Sequence, residues 1–379
     1  MSPPRFAILA DTLFDGRTTL RRAAVLVEEG RIRDIGVAAD VPDGVPVERL
    51  PEGAWLSAGF IDLQVNGGGD VLFNDDPSPA AMAAIAAAHR RFGTTGLLPT
   101  LITDTRERMQ AAVAAANEAA RTSPGVLGLH LEGPFLSPER PGVHDPALIR
   151  VAEPQDEAIL TGLTAGVMLA TLAPERAPAG LVARLAGAGV RVALGHSMAT
   201  YAETRAALDE GLSGFTHLFN AMRPLGSREP GPIAAALEEP EAWFGMIVDG
   251  EHVHPAMLRL ALRGTATPIL VTDAMPTVGG SRAGFTLNGH AIALVGDRLQ
   301  RADGTLAGAH LDMASAVRNS VRLLGAPLAE ALRWASTNPA DALGLGDRLG
   351  RVEPGYRADL VAFMPEDVRV LRTWVAGEG

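Results

Sequence analysis

The stretch that decides the fold is VLGLHLE at residues 126–132, an apolar run that ends on an acid. Three later stretches follow the same pattern, namely VRVALGH at 190–196, GFTH at 214–217 and PILVTD at 268–273. Short apolar runs bounded by turn residues are typical of buried parallel strands. Each run ends on a residue type that binds a metal ion or works beside one. We therefore expect four functional side chains at the carboxyl ends of buried strands.

The chain carries eight such strands in one continuous strand–helix alternation. Their expected bounds are 60–66, 96–101, 126–132, 167–172, 190–196, 214–217, 244–249 and 269–273. Helices are expected between them, at 79–92, 106–121, 179–188, 199–210 and 255–263. Eight consecutive βα units favour a closed (β/α)8 TIM-like barrel, of class α/β, over an open sheet.

Both ends of the chain depart from this alternation. Residues 1–55 and 347–379 are expected to form short strands and turns. We predict that these two segments build one small β-sandwich domain and that residues 56–346 form a metal-dependent hydrolase barrel. Within the barrel, residues 284–304 predict a small β excursion after the eighth strand.

The composition excludes several classes of function. The 33 basic and 44 acidic residues give a net charge of −11, which argues against a nucleic-acid or anionic-membrane partner. There is no cysteine, so thiol nucleophiles and Cys-ligated zinc are excluded. Every basic residue is arginine, which excludes a Schiff-base lysine and a carbamylated lysine bridging two metals. No signal peptide or spanning apolar stretch is visible, so we expect a cytoplasmic protein.

The polar ends of the apolar runs predict a metal centre. Glu132, His196 and His217 would hold one Zn²⁺-like ion and leave a position open for water. Asp273 would stand beside that water as a base, an arrangement that indicates metal-assisted hydrolysis. His130 shares a strand face with Glu132 but lies farther from the tip, so we expect it to support the site without binding the metal.

Each of these residues also has a structural interpretation. A lone histidine at a strand end is more often a satisfied structural residue, Glu132 alone fits a salt bridge, and Asp273 alone fits a helix cap. The recurrence of such residues at successive strand ends favours a site. Gln64 and Asn66 share one face of the first strand, and neutral amides are poor Zn²⁺ ligands, so we expect them to anchor water or orient substrate.

Four residues after the sixth and seventh strands suit a phosphate group. They are Asn220 and Ala221, Arg228, and His252, which bring backbone N–H groups, a guanidinium and an imidazole. Each is weak evidence alone, because a surface arginine is usually only solvated. His144 lies in the loop after the third strand, where it could donate a hydrogen bond to a substrate carbonyl.

With these residues assembled, the chain resembles the amidohydrolase superfamily and, within it, the N-acetylglucosamine-6-phosphate deacetylase family. The resemblance spans nearly the whole chain. It rests on GFIDLQVNG at 59–67, HLEGPF at 130–135, GHS at 195–197, THLFNAM at 216–222, DGEHV at 249–253, VTDA at 271–274 and a tail motif at 354–360. Most of the superfamily has His-x-His on the first strand, where this chain has Gln64-Val65-Asn66, so one metal per chain is expected.

The resemblance implies a role for each site residue. It implies one divalent metal, Zn²⁺ first with Fe²⁺, Co²⁺ or Mn²⁺ as alternatives, and Asp273 as the catalytic acid and base. It places His144 on the acetyl carbonyl. It places Asn220, the Ala221 backbone, Arg228 and His252 around a sugar phosphate. A homodimer is expected, with Arg228 as a candidate to reach the partner subunit's site.

The expected reaction is hydrolysis of N-acetyl-D-glucosamine 6-phosphate to D-glucosamine 6-phosphate and acetate. Three alternatives stay open. The first is the same reaction on N-acetylgalactosamine 6-phosphate, which differs at one hydroxyl. The second is a cyclic amide hydrolase such as a dihydroorotase, disfavoured by the missing lysine and first-strand histidines. The third is a non-catalytic scaffold, disfavoured because all three ligands and the base are present.

Overall fold

The computed structural model describes residues 5–379, which contain twenty β-strands and ten α-helices. In chain order the strands are β1 (Arg5–Phe14), β2 (Thr19–Glu28), β3 (Arg31–Val37), β4 (Val47–Arg49), β5 (Trp55–Ala58), β6 (Phe60–Val65), β7 (Gly67–Gly68), β8 (Val71–Leu72), β9 (Thr94–Ile102), β10 (Gly128–Glu132), β11 (Val167–Leu172), β12 (Arg191–Leu194), β13 (Gly214–Phe215), β14 (Trp243–Met246), β15 (Thr267–Leu270), β16 (Gly284–Leu287), β17 (His290–Val295), β18 (Arg298–Gln300), β19 (Leu360–Met364) and β20 (Arg369–Trp374).

Local sequence signals explain where several helices begin and end. The helices are α1 (Pro79–Arg90), α2 (Arg106–Thr122), α3 (Pro154–Leu160), α4 (Leu181–Gly187), α5 (Tyr201–Asp209), α6 (Gly231–Glu238), α7 (Pro255–Ala261), α8 (Met313–Leu324), α9 (Leu328–Ala335) and α10 (Thr337–Ala342). Thr200 and Glu203 form a capping box at the start of α5. Asp312 caps the start of α8, and Gly325 ends it in the left-handed conformation that glycine tolerates.

Eight parallel strands form the barrel predicted from the sequence. Their order around the sheet is β6, β9, β10, β11, β12, β13, β14, β15, so each strand lies beside its successor in the alternation. The first and last strands meet at a parallel bridge between Val65 and Ala274, where the Asp273 N–H donates to the Gln64 carbonyl at 3.0 Å. Every residue of β6, β9 and β10 is buried, as expected for strands covered on both faces. The TIM-like barrel is therefore confirmed.

The chain divides into two compact units. One comprises residues 5–62, 89–96 and 312–379, and the other comprises 63–88 and 97–311. In the first unit, strands from both ends of the chain form one sheet in the order β20-β19-β5-β1-β2-β3, with β4 also paired to β1. A β domain built from both termini is thus confirmed. The expected domain boundaries at 55/56 and 346/347 stay a prediction.

The predicted excursion after the eighth strand is present as a three-stranded antiparallel sheet, β16-β17-β18. Its first turn is Asn288-Gly289, and both residues have positive φ, 51° and 76°, as a two-residue type I′ hairpin turn requires. One face of this sheet packs within the second unit, where Leu287, Ile292 and Leu299 join an apolar cluster with Ile102 and Met275. Within residues 5–379, none of the helices combines the length and the apolarity that a membrane crossing requires.

Candidate active site

The polar residues that end the apolar runs do so on unusual backbone. Glu132 is the last residue of β10, whereas His196 and His217 lie two residues beyond β12 and β13, and Asp273 lies three beyond β15. These last three have φ values of 49°, 30° and 51°. Few non-glycine residues adopt this left-handed region, and the strain it carries clusters at functional sites. The strands therefore end earlier than the sequence predicted, and the site residues stand on tight turns.

Glu132, His196 and His217 converge on one point. The Glu132 Oε1 atom lies 3.1 Å from His196 Nε2 and 3.0 Å from His217 Nε2, and the two imidazole nitrogens lie 3.2 Å apart. All three side chains are buried, and their ligand atoms lie within 4.8 Å of one another. The predicted trio is thus brought together by the fold.

The protonation pattern of this trio fits a divalent cation. His196 donates its Nδ1 proton to the Arg140 carbonyl at 2.8 Å, which orients the ring so that Nε2 faces the Glu132 carboxylate. Burial opposes charge on His217, but its contact with Glu132 outweighs burial and raises its pKa. Burial also opposes charge on Glu132, yet the two imidazoles hold its pKa well below the ordinary value. A buried, ionised carboxylate beside two imidazole nitrogens is a donor set that suits Zn²⁺-like ions.

Asp273 stands beside the trio and keeps its own hydrogen bonds. Its Oδ1 atom accepts from Asn66 Nδ2 at 2.6 Å and from Gln64 Nε2 at 3.2 Å. The same Gln64 amide donates to Glu132 Oε2 at 3.1 Å, so it links the base to the trio. Burial and the negative charge of Glu132 raise the pKa of Asp273 to about 6. A carboxylate with this pKa can take up and release a proton near neutrality.

His144 is a neutral hydrogen-bond donor. Its Nδ1 atom lies 2.8 Å from the Thr103 hydroxyl and accepts from the Thr103 backbone N–H at 3.3 Å. Because a backbone N–H only donates, the ring proton must sit on Nε2. Burial, together with the neighbouring His196, lowers the pKa of His144 well below its ordinary value. The His144 ring meets the His196 ring edge-on with centroids 4.3 Å apart, so this donor lies next to the trio.

A cavity of about 300 Å³ joins these groups. It is lined by predicted site residues, namely Asn66, Glu132, His144, His196, His217, Asn220, Ala221, His252 and Asp273. His252 is held by Asp249, whose Oδ2 lies 2.6 Å from Nδ1. Arg228 is exposed and is not among the lining residues of this chain. Gln64 is buried behind the cavity, where its amide contacts Glu132 and Asp273.

His130 lies inside the barrel as a structural residue. Its Nδ1 atom is 3.2 Å from the Thr100 hydroxyl and its Nε2 atom is 2.8 Å from the Thr171 hydroxyl. Burial lowers the pKa of His130 to about 4, so it is neutral. Its two hydroxyl contacts leave no ring nitrogen for a metal, which agrees with the supporting position expected from the sequence.

Several residues that shape the site could not be identified from the sequence. Thr103 sets the tautomer of His144, and the Arg140 carbonyl sets that of His196. Glu175 accepts from the Ser197 hydroxyl at 2.7 Å and from the Met198 N–H at 2.6 Å, so it holds the turn after His196. The cavity wall also contains Thr305, Leu306 and Gly308. These residues lie outside the barrel strands and carry no motif.

Comparison with known proteins assigns the chain to a family. The model of the amidohydrolase family matches residues 55–378. The chain belongs to the amidohydrolase family. Among similar members, "N-acetylgalactosamine-6-phosphate deacetylase" of Shewanella sp. (strain ANA-3) is 40% identical over 98% of this chain and 96% of that protein. "N-acetylglucosamine-6-phosphate deacetylase" of Haemophilus influenzae is 35% identical over 99% of both chains.

A solved structure from this amidohydrolase group has the same architecture. The crystal structure of N-acetylglucosamine-6-phosphate deacetylase from Pasteurella multocida superposes with a TM-score of 0.95 at 35% identity. It covers 99% of this chain and 99% of that chain. The similarity therefore extends through both compact units and includes the segments that carry the site.

Proposed function

We propose that this chain hydrolyses N-acetyl-D-glucosamine 6-phosphate to D-glucosamine 6-phosphate and acetate. The observation that carries the proposal is one cavity that holds a three-ligand metal site, a buried carboxylate base and a neutral imidazole donor. Amide hydrolysis needs an activated water, a group that moves protons and a donor for the oxyanion. Full-length relatives named as sugar-phosphate deacetylases support this substrate class.

Glu132, His196 and His217 would hold one divalent metal ion, for which Zn²⁺ is the first candidate. When bound, such an ion lowers the pKa of water and polarises a carbonyl. Asp273 takes a proton from the attacking water and returns it to the leaving amine, since its Asn66 and Gln64 contacts leave its second oxygen available.

His144 supplies the oxyanion donor in this proposal. Its Nε2–H points away from the Thr103 contact that fixes the ring, and His144 lines the cavity. A preorganised neutral donor stabilises the charge that develops on the acetyl oxygen and carries no positive charge that would compete with the metal. No covalent intermediate is required, because water attacks the acetyl carbon directly; cysteine and lysine nucleophiles are absent from the chain.

The phosphate end of the substrate would lie toward the opposite wall. Asn220, the Ala221 backbone and His252 line the cavity and offer polar groups for phosphate oxygens. Arg228 is exposed in the single chain, so we propose that it reaches the site of a partner subunit in a homodimer. We also propose that the enzyme works in the cytoplasm and that residues 1–55 with 347–379 form the small β-sandwich domain.

A second candidate is the same reaction on N-acetyl-D-galactosamine 6-phosphate, because the Shewanella relative at 40% identity bears that name. Release of acetate and of free amine from both sugar phosphates, measured on protein reconstituted with Zn²⁺, decides between them. We expect the gluco epimer to give the higher kcat/KM. A higher value for the galacto epimer would replace the first candidate by the second, and no acetate from either sugar would refute both.

A further inference from the structure

The three-stranded sheet β16–β18 holds the His144 loop through a single carbonyl oxygen. Asn288 donates its Nδ2–H to the Val143 carbonyl at 3.0 Å, and Arg301 donates from Nη2 to the same oxygen at 3.2 Å. A carbonyl oxygen has two lone pairs, so these two donors saturate it. Val143 immediately precedes His144, so its carbonyl is part of the peptide group that joins the two residues.

The His144 loop also packs against the metal-site residue His196. The His144 N–H donates to the Pro141 carbonyl at 3.0 Å and closes a tight turn. Gly142 occupies that turn with φ of 56°, and a Cβ added to it would lie 3.2 Å from His196 Cε1. The turn therefore packs closely against the His196 ring, and the Val143 carbonyl ties it to the excursion.

The side chain of Val143 strengthens this hold. It packs in one apolar cluster with Leu287, Ile292 and Leu299 of the three-stranded sheet. Only 9% of Val143 is exposed, so both its backbone and its side chain are attached to the excursion. The excursion therefore holds the segment that carries His144.

We propose that Asn288 and Arg301 are positioning residues for catalysis and that they act by fixing His144 through the Val143 carbonyl. The inference rests on the proposed role of His144 as the donor to the acetyl oxygen. That role demands precise placement, because oxyanion donors work only within hydrogen-bond distance of the developing charge. Neither residue is expected to touch the substrate, so their loss should lower kcat and leave KM nearly unchanged.

The Asn288 turn allows a clean substitution. Asn288 has φ of 51°, a conformation that alanine would strain and glycine adopts freely. Asn288→Gly therefore removes the side-chain donor and keeps the type I′ turn. Arg301→Gln shortens the second donor. Asp297→Ala, in the turn that joins β17 to β18, is the matched control in the same sheet, because Asp297 is exposed and the Val143 carbonyl accepts from Asn288 and Arg301 instead.

The test combines kinetics with hydrogen exchange on the Zn²⁺-reconstituted full chain. A displacement of about 1 Å can cost on the order of 10²-fold in rate, so we expect Asn288→Gly to lower kcat about 10-fold and the double variant with Arg301→Gln about 10²-fold. KM for the sugar phosphate should stay within about 2-fold. In a His144→Gln background, Asn288→Gly should cause no further loss, because the group it positions is gone.

Hydrogen exchange needs no turnover. The backbone N–H groups of residues 142–145 and 147 should exchange on the order of 10-fold faster in Asn288→Gly than in wild type or Asp297→Ala, with the same melting temperature in all three. In an active enzyme, an unchanged kcat or a fully additive loss in the His144→Gln background would overturn the proposal. If wild type released no acetate at all, the proposed function would fail separately, and unchanged exchange would then overturn the positioning by itself.

Discussion

Replacing Asp273 by asparagine separates proton transfer from metal binding. The carboxylate is buried, and its Oδ1 atom accepts from Asn66 at 2.6 Å and Gln64 at 3.2 Å. Asparagine has the same shape, and its carbonyl oxygen can accept from the same two amides. The three ligand side chains are untouched. We therefore expect the variant to keep its fold and its metal.

The expected loss of turnover follows from the proton transfer that asparagine cannot perform. An amide cannot take a proton from water or return one to an amine, so the positioned acid and base is lost. Such a loss typically costs on the order of 10²–10⁴ in turnover, or about 3 to 5 kcal/mol in the activation barrier. Because the hydrogen bonds to Asn66 and Gln64 are retained, the free energy of unfolding should change far less than the barrier.

The pH profile gives a second signature of Asp273. In the absence of metal, burial and the charge of Glu132 raise the pKa of Asp273 to about 6. A bound divalent cation offsets the Glu132 charge and lowers this pKa, since a nearby positive charge favours the carboxylate. As the base must be ionised, kcat/KM should fall as the pH drops, with a midpoint below about 6. This acid limb should be absent from Asp273→Asn.

The assay is acetate release from N-acetyl-D-glucosamine 6-phosphate between about pH 5 and pH 8, with metal content and melting temperature measured on the same samples. Wild type reconstituted with the same metal is the control. Near-normal turnover of Asp273→Asn at neutral pH would refute the proton-transfer role. Loss of the metal from this variant would instead make Asp273 a ligand, and the three-ligand description would then be wrong.

Four further substitutions test other parts of the site. His196→Asn or His217→Asn should lose metal and activity together by elemental analysis, and two tightly bound ions in active wild type would contradict a mononuclear centre. Arg228→Ala should bring the ratio of kcat/KM for phosphorylated and unphosphorylated N-acetylglucosamine toward one, whereas an unchanged ratio would make Arg228 an ordinary surface residue. Gly195→Ala places a Cβ 2.6 Å from Thr171 Cγ2, so we expect a loss of about 1–3 kcal/mol in the free energy of unfolding and a weaker metal site. The measurement is urea unfolding, and a free energy of unfolding equal to that of wild type would contradict this prediction.

The barrel and the metal trio could be predicted because their signals are local. An apolar run of a few residues indicates a buried strand, and the polar residue at its end indicates which edge of the sheet carries chemistry. The sequence placed His196 and His217 inside their strands, however, and the structure places them two residues beyond. Their positive φ ends the regular hydrogen bonding of each strand. No residue type in these stretches predicts that conformation.

The supporting contacts could not be predicted because they join distant parts of the chain. The carbonyl that orients His196 belongs to Arg140, 56 residues earlier, and the donor on Asn288 lies 145 residues from Val143. The sequence identified residues 284–304 as a β excursion but contained no indication of what it touches. Pairings of this kind depend on how loops fold over the barrel end, which a strand pattern does not specify.

The left-handed backbone at His196, His217 and Asp273 has a consequence for protein design. Each non-glycine residue held in such a conformation costs on the order of 1–3 kcal/mol, a large fraction of the roughly 5–15 kcal/mol that stabilises a whole domain. A designer who grafts the three side chains onto regular strand ends would aim them away from their present directions, because the positive φ of each turn sets where its side chain points. Transplanting this chemistry therefore requires copying the strained turns as well as the residues, onto a scaffold stable enough to tolerate them.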